Sequence, residues 1–342
     1  MLAELVIAAA IVMLLLGSVF SLVDPTRGAL AVQPHAADTH QRLRAAFVRL
    51  QTDLMLAGSG PHPTVDVSVA RLRAPLVPAL VGHRHPPAAG ATFAADAVTI
   101  LYAPPRSPAA PLASPLAGPA ADVLLGPGPA RCRAGATTCA FEVGSLALVF
   151  DRDGRSDIVR VTRVFDDALG VRPIAGGSAQ AFAAGASIVP LELRAYYHDR
   201  AAAQLRYQDG WVTDVPVLDD VVGLTLRYFG GGALPAGGGD GLAAACLRSQ
   251  PPAAPPGRAG GEPGRELAPA LFLDGPRCGG RLPYDVDLFR IRRVRVEIRL
   301  QVSGAWLRGR DPSLFARPGP ARDGRRQVPD LTGVFDVALR GP

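Results

Sequence analysis

The sequence predicts an α+β fold, in which a long N-terminal transmembrane and amphipathic helix packs on an antiparallel β-sheet head with long Pro/Gly-rich loops. Three observations support this prediction. Residues 5–23 carry no charge, residues 39–57 place apolar side chains at helical spacing, and much of the chain beyond residue 60 alternates apolar and polar residues. The chain of 342 residues is long enough for such a head together with an anchor.

The first predicted element is the uncharged run of residues 5–23, LVIAAAIVMLLLGSVFSLV. As a helix it rises about 28 Å, close to the thickness of a bilayer core. No basic residue precedes it and no Ala-x-Ala site follows it, so a cleaved signal peptide is not favoured. Glu4 stands at its start, where an unpaired carboxylate is costly, and we expect it to have a partner. Residues 1–23 are therefore predicted to be a transmembrane anchor helix.

A second helical segment follows within residues 24–58, which we expect to extend the helix beyond the anchor. Asp38 is a plausible N-cap with Gln41 as its capping-box partner. One apolar stripe at spacings of four and three runs along this segment, formed by Leu43, Phe47, Leu50, Leu54 and Ala57. Asp53 lies off this stripe. Pro25, Gly28 and Pro34 are expected to interrupt or kink the helical path.

Residues 59–342 are predicted to form a β-rich head. The clearest strand alternates the apolar residues Val294, Val296, Ile298, Leu300 and Val302 with charged or polar ones. Asp-Gly pairs inside DRDGRS and QDG predict hairpin turns. Two low-complexity stretches, 103–131 and 230–283, are rich in Pro, Ala and Gly and predict long loops between strands.

Composition excludes several classes of protein. The 36 basic residues are all Arg and the net charge of +6 is spread along the chain. No run of five basic residues occurs, so nucleic-acid binding is not favoured. Pro recurs throughout, which excludes a coiled coil. Glycine does not recur at a regular spacing, which excludes collagen.

No catalytic motif or cofactor-binding motif occurs, so the sequence predicts a protein that is not an enzyme and that holds no cofactor. Asp151, Asp153 and Asp157 surround Gly154 and form a weak calcium candidate. This loop lacks the distal bidentate Glu of a helix-loop-helix calcium site. A plain hairpin turn is the favoured interpretation, and no metal is predicted.

The four cysteines fit no zinc module by their spacing. Two disulfides in an oxidising compartment are the simpler interpretation. Pairing nearest neighbours closes the shortest loops and predicts Cys132–Cys139 and Cys246–Cys278.

The N-terminus, MLAELVIAAAI, resembles that of type IV prepilins and pseudopilins, which carry a Gly-Phe-Thr-Leu-Ile-Glu-type signature before a long apolar helix. Glu4 falls on the family's acidic residue, and Leu2 and Ala3 fall on the two residues before it. Residues 49–60 resemble the end of that helix in the larger, PilW-like minor pilins. On this alignment the first mature residue and the leader Gly lie upstream of Met1. We therefore expect that the start codon was placed too far downstream or that the leader was lost.

The resemblance implies a minor pilin-like structural subunit for type IV pilus assembly, polymerising through its N-terminal helix and subject to prepilin-type N-terminal methylation. The implied partners are other pilin subunits, the pilus assembly machinery, the membrane through the N-terminal helix, and prepilin peptidase if a full leader exists. The implied location is the bacterial inner membrane, single pass with the head in the periplasm, and then the pilus at the cell surface. Glu4 would pair with the free N-terminal amine of the neighbouring subunit and set its register.

Two alternatives stay open. One is a type II secretion pseudopilin, although those heads tend to be smaller. The other is a signal-anchored periplasmic binding or adhesion protein that does not polymerise.

Overall fold

The computed structural model describes residues 2–59, 64–67, 72–75, 79–81, 94–104, 109–118, 121–127, 137–151, 156–173, 181–210, 213–230, 264–268, 272, 288, 290–322 and 324–339. For residues 2, 20–31, 64–67, 72–75 and 325, the description covers the backbone alone.

The predicted α+β class is wrong, because the molecule is mostly β: strands make up 45% of it and helices 24%, with large antiparallel sheets. One helix, α1, spans Leu2–Leu56. Many short strands, several of them inside sequence without a clear alternating pattern, shift the balance toward β. The strands in the described part of the chain are β1 (Thr64–Val67), β2 (Leu72–Pro75), β3 (Leu80–Val81), β4 (Ala97–Tyr102), β5 (Ala110–Pro111), β6 (Ala121–Leu124), β7 (Leu146–Phe150), β8 (Ser156–Val164), β9 (Ala168–Pro173), β10 (Ser187–Asp199), β11 (Gln204–Asp209), β12 (Thr213–Asp219), β13 (Val221–Gly230), β14 (Arg265–Leu267), β15 (Ile291–Leu300) and β16 (Leu331–Ala338).

The predicted transmembrane anchor, and with it the single-pass inner-membrane location, is also wrong. Within the described residues, no helix is both long and apolar enough to cross a membrane.

Helix α1 continues past the residues that were expected to interrupt it. Its 55 residues include Pro25, Gly28 and Pro34, and at 1.5 Å per residue it is about 82 Å long. A proline inside a helix removes one backbone hydrogen bond. From Val32 onward the helix packs against the head, and this packing offsets the loss at Pro34.

Strand β10 is the centre of the ten-stranded sheet. Its first half pairs with β5 and β7, and its second half pairs with β4 and β11. Every pair is antiparallel, and the main order is β12-β11-β10-β7-β8-β9-β6. A separate four-stranded sheet has the order β14-β13-β15-β16, and β1 pairs with β2. Strand β10, with 13 residues, thus runs through both halves of the sheet, and each half of β10 pairs with different strands.

The half of this sheet that contains β5 to β9 closes on itself. An antiparallel bridge places Leu112 opposite Leu125, next to strands β5 and β6 at the two ends of the row. Its hydrogen bonds run from the Ala113 N–H to the Leu124 carbonyl and from the Gly126 N–H to the Pro111 carbonyl. Its interior is a separate apolar core, which includes Leu112, Val161 and Phe182. We call this part, with the first half of β10, the closed unit. It falls partly in the stretch 103–131, which was expected to be a loop.

The main core lies between α1, the other half of the ten-stranded sheet and the four-stranded sheet. Strand β15 fulfils the predicted alternation, because Val294, Val296 and Ile298 are fully buried while the residues between them are partly exposed. The buried face of β15 forms part of the main core, on which α1 packs.

Candidate functional site

Helix α1 has two parts with opposite surroundings. We call residues 3–19 the exposed half, because every side chain in this range is exposed. We call residues 32–58 the bound half, because side chains along it pack on the head. One continuous helix therefore carries an exposed segment at its start and packs on a folded domain with the rest of its described side chains.

The exposed half is a large apolar surface. Its ten large apolar side chains each expose more than half of their area: Leu5, Val6, Ile7, Ile11, Val12, Met13, Leu14, Leu15, Leu16 and Val19. Monomeric proteins seldom leave a contiguous apolar patch of this size uncovered. Covering it would contribute on the order of 10 kcal/mol. Such a surface marks a site of association.

Glu4 lies in the first turn of α1 and is exposed. The helix N-terminus carries partial positive charge, so an acid in this turn stabilises the helix by about 0.3–1 kcal/mol. Glu4 is the charged side chain at the tip of an otherwise uncharged half. Its predicted role in subunit assembly stays a prediction.

The bound half begins at a small apolar cluster. Val32 and Ala36 pack against Val302, Leu307 and Val328. The ring of His35 meets the edge of Trp306, with centroids 5.5 Å apart. These contacts fix the point at which α1 joins the head.

The next contact along the helix is ionic. The guanidinium of Arg42 pairs with Asp38 at 2.9 Å and with Asp220 at 3.2 Å. Asp220 adopts a φ of 61°, which is unfavourable for a residue other than glycine. It also accepts a hydrogen bond from the hydroxyl of Ser303. The turn between β12 and β13 is thereby held against the helix.

The middle of the bound half packs on the edge strand β16. The rings of Phe47 and Phe335 lie 4.7 Å apart. Gly333 leaves the space that Phe47 fills, since a Cβ at that position would lie 2.5 Å from the Phe47 ring. The predicted stripe residues Leu50 and Leu54 are buried in the main core. The stripe thus lies against the sheets, as its spacing indicated.

Asp53 is the feature that the sequence pattern missed. It was placed on the polar side of the helix, yet its exposed fraction is 4%. Its carboxylate pairs with Arg194 and accepts a hydrogen bond from the hydroxyl of Tyr196, both on β10. One turn earlier, Arg49 lies over the ring of Tyr207 at 4.4 Å. A charged cluster therefore holds the end of α1 to the sheet.

Burial keeps the aromatic hydroxyls of this cluster protonated. Desolvation, followed by the bond to Asp53, raises the pKa of Tyr196. Desolvation, reinforced by Glu192, raises the pKa of Tyr102. Burial opposes the charge on Arg194, but the adjacent Asp53 outweighs it and raises the pKa of Arg194. At neutral pH, Tyr196 donates and Asp53 accepts, so the cluster is a structural clamp.

The other predicted site residues lie in the head. Cys139 is in a disulfide, while Cys132, Cys246 and Cys278 lie outside the described residues, so the predicted pairing stays a prediction. Asp151 directly follows β7 and Asp157 lies in β8, while Asp153 lies outside the described residues. Over the described chain, no three His, Cys, Asp or Glu side chains are grouped as a metal site would require.

Comparisons with known protein families, with curated proteins and with solved structures found no match. The geometry by itself defines a mostly β head carrying a long helix, of which one half packs on the head and the other half is an exposed apolar surface. Binding through this helix is the chemistry that the arrangement supports.

Proposed function

We propose that this chain is a minor pilin-like structural subunit that polymerises through its N-terminal helix, as in type IV pilus assembly. The observation that carries the proposal is the exposed half of α1. An apolar segment of about 25 Å on a helix fixed to a folded head is suited to packing against the same segment of other subunits.

The bound half supports the same proposal. A helix that bent freely at the head would lose conformational entropy on assembly, and the gain from apolar burial would be reduced. The contacts at Val32, Arg42, Phe47 and Asp53 hold α1 along more than 20 residues. The bound half is therefore held on the head, and the exposed half continues from it along the same helix.

Glu4 adds a specific contact to this apolar surface. Among packed helices a carboxylate is in a medium of low dielectric constant and gains from a nearby cation. The resemblance to prepilins supplies that cation as the N-terminal amine of a neighbouring subunit. The pair would allow the acid to be buried and would set the axial register of each added subunit.

The test is incorporation of Glu4 variants into filaments. The full chain, expressed from a gene with a complete leader, is blotted in sheared filaments and in the remaining cells. Glu4→Ala and Glu4→Gln should leave the total amount unchanged and lower the sheared fraction at least tenfold. Glu266→Gln removes an exposed acid from the head and should change nothing.

Equal incorporation of the Glu4 variants and the parent chain would contradict the charge-pairing role. Absence of every version, including the parent chain, from sheared filaments would contradict polymerisation itself.

A further inference from the structure

Two exposed patches in the head have opposite charge. The first, which we call the basic patch, is on the long connection between β15 and β16 and consists of Trp306, Leu314, Arg310, Arg317 and Arg322. The indole of Trp306 is 55% exposed and Leu314 is 43% exposed. The three arginines are exposed, and none of them forms an ion pair with the described part of the chain. One acid, Asp311, lies among them and is bonded to Ser313.

The basic patch is held rigidly despite being in a connection without strands. Leu307 and Phe315 are buried beneath it. The carbonyl of Arg317 accepts a hydrogen bond from the Gln301 amide at 3.0 Å, and the Asp330 N–H donates to the Leu314 carbonyl. The connection also folds back on itself, since the Gly319 N–H donates to the Gly309 carbonyl and the Ala321 N–H donates to the Arg308 carbonyl. An exposed tryptophan and three exposed arginines on one folded connection have the composition of the centre of a protein interface.

The second patch, which we call the acidic patch, is on the outer face of the closed unit and consists of Leu124, Phe165, Asp166 and Asp167. Leu124 pairs with Ala168, and the N–H of Phe165 donates to the carbonyl of Ala168, so the two large side chains flank one alanine. Leu124 and Phe165 are each 47% exposed.

The acids of this patch are at the tip of the hairpin between β8 and β9. Both are exposed, and neither pairs with a cation within the described residues. Their carbonyls accept hydrogen bonds from the N–H groups of Thr137 and Leu125. The tip is thus fixed in place. Two acids that form no ion pair with the described part of the chain adjoin the exposed Phe165, and the guanidinium of Arg163, which pairs with Asp122, lies 5.8 Å from the centroid of the Phe165 ring.

The two patches lie on parts of the head that cannot meet within one chain. Trp306 contacts His35, where α1 joins the head. The end of α1 lies beside β4, because the N–H of Gly58 donates to the carbonyl of Leu101. Strand β10 pairs with β4 as far as Tyr102, and its remaining residues belong to the closed unit, which therefore lies beyond the end of α1. About 33 Å of helix separates His35 from Ala57. A contact between the patches must therefore join two copies.

We propose that the basic patch of one copy docks on the acidic patch of the next copy, as a second contact besides the one made by the exposed half of α1. This inference rests on the proposed polymerisation. Trp306 and Leu314 cover Leu124 and Phe165, and the three arginines face Asp166 and Asp167. Because the two surfaces differ, the contact is heterologous, and its repetition builds an open row of subunits.

Photo-crosslinking in the assembled full chain tests the contact. Trp306 is replaced by benzoylphenylalanine, sheared filaments are irradiated, and adducts are mapped by mass spectrometry after trypsin digestion. We expect a two-chain adduct on the peptide that begins after Arg163 and contains Phe165. The same replacement at Val334, which is 52% exposed on β16, should give no adduct on that peptide.

Charge reversal provides the second measurement. Asp166→Arg with Asp167→Arg, or Arg310→Glu with Arg317→Glu and Arg322→Glu, should reduce the adduct at least fivefold. The two sets combined in one chain should restore it, because the attraction is then reversed at both patches. Arg227→Glu, at an exposed arginine of β13, is the matched control.

The proposal would be overturned if filaments form normally but the adduct is absent, maps to another peptide or does not respond to charge reversal. Polymerisation would then still stand. Absence of filaments from the parent chain would overturn polymerisation and this contact with it.

A further experiment measures binding of a 20-nucleotide oligothymidine to the arginine variants. A tenfold loss of that binding with an unchanged adduct would assign the basic patch to single-stranded nucleic acid and overturn the docking contact.

Discussion

Asp53 carries a negative charge into the interface between α1 and the sheet. A helical pattern places it beside the apolar stripe, on the polar side, and the sequence gives no sign of its burial. The cause lies 141 and 143 positions further along the chain, where β10 supplies Arg194 and Tyr196. Only the tertiary pairing reveals why a carboxylate is stable there.

Asp53→Ala should lower the free energy of unfolding by about 2–4 kcal/mol, because it leaves a buried hydroxyl and a half-buried guanidinium without their acceptor. Urea denaturation followed by circular dichroism measures the change. The control is Asp336→Ala, which breaks the exposed pair with Arg295 and should cost less than about 1 kcal/mol. Equal losses in the two variants would show that Asp53 is not a buried clamp.

The raised pKa of Glu192 makes the stability of the folded protein depend on pH. Burial, with smaller contributions from Asp209 and Glu142, raises its pKa against the opposing attraction of Arg194. A carboxyl whose pKa is raised in the folded state binds its proton more tightly there. Its contribution to stability is therefore present at pH below its ordinary pKa of about 4.3 and is lost as pH rises.

Glu192→Gln should consequently stabilise the protein slightly at pH 7, by less than about 1 kcal/mol because the side chain is partly exposed. The gain should vanish at pH 3, where the glutamic acid is also neutral. Urea denaturation at both pH values measures it. A variant that is less stable than the parent chain at pH 7 would show that the ion pair with Arg194 dominates.

The elements differ in how much of them the sequence could predict. Strand β15 is evident from its alternation, because each apolar residue packs into the main core while its neighbours reach solvent. The closed unit is not evident. β5 and β6 are short and lie in Pro- and Ala-rich sequence, and they become strands because β10 and β9 supply their partners. Such pairings between distant segments leave no local pattern.

The contact between α1 and β16 depends on the absence of a side chain at Gly333. Gly333→Ala should destabilise the protein by about 1–3 kcal/mol, because the added Cβ collides with the packed ring of Phe47. In a Phe47→Ala background the same change should cost less, since the ring is gone and the close contact that remains is with Leu43 Cδ2 at 3.0 Å. A double-mutant cycle in urea measures this coupling. Additive effects would contradict the close approach of the helix to β16.

The two halves of α1 should also behave differently when removed. A chain that starts at residue 32 keeps the bound half and should unfold cooperatively. A chain that starts at residue 61 exposes the main core, where Leu50 and Leu54 were buried, and should aggregate or lose its transition. Differential scanning calorimetry compares them. Equal melting of both chains would show that the bound half contributes nothing to the head.

At the scale of the whole molecule, one exposed apolar helix segment is joined to a head that carries two exposed patches. The N-terminal motif and the stripe of α1 predicted where the helix should be and which side faces the head. They could not predict the patches, because Trp306 and Phe165 acquire their surroundings from folded connections and turns. In the proposed assembly, other subunits cover the exposed half of α1.

The most direct test compares two valines on α1. Val12 in the exposed half and Val48 in the bound half are both exposed, by 53% and 60%, so a glutamate at either position should be tolerated by a single subunit. If other subunits cover the exposed half, Val12→Glu should abolish incorporation into sheared filaments, while Val48→Glu should leave it unchanged. Normal incorporation of Val12→Glu would contradict the proposed covering of this segment by other subunits.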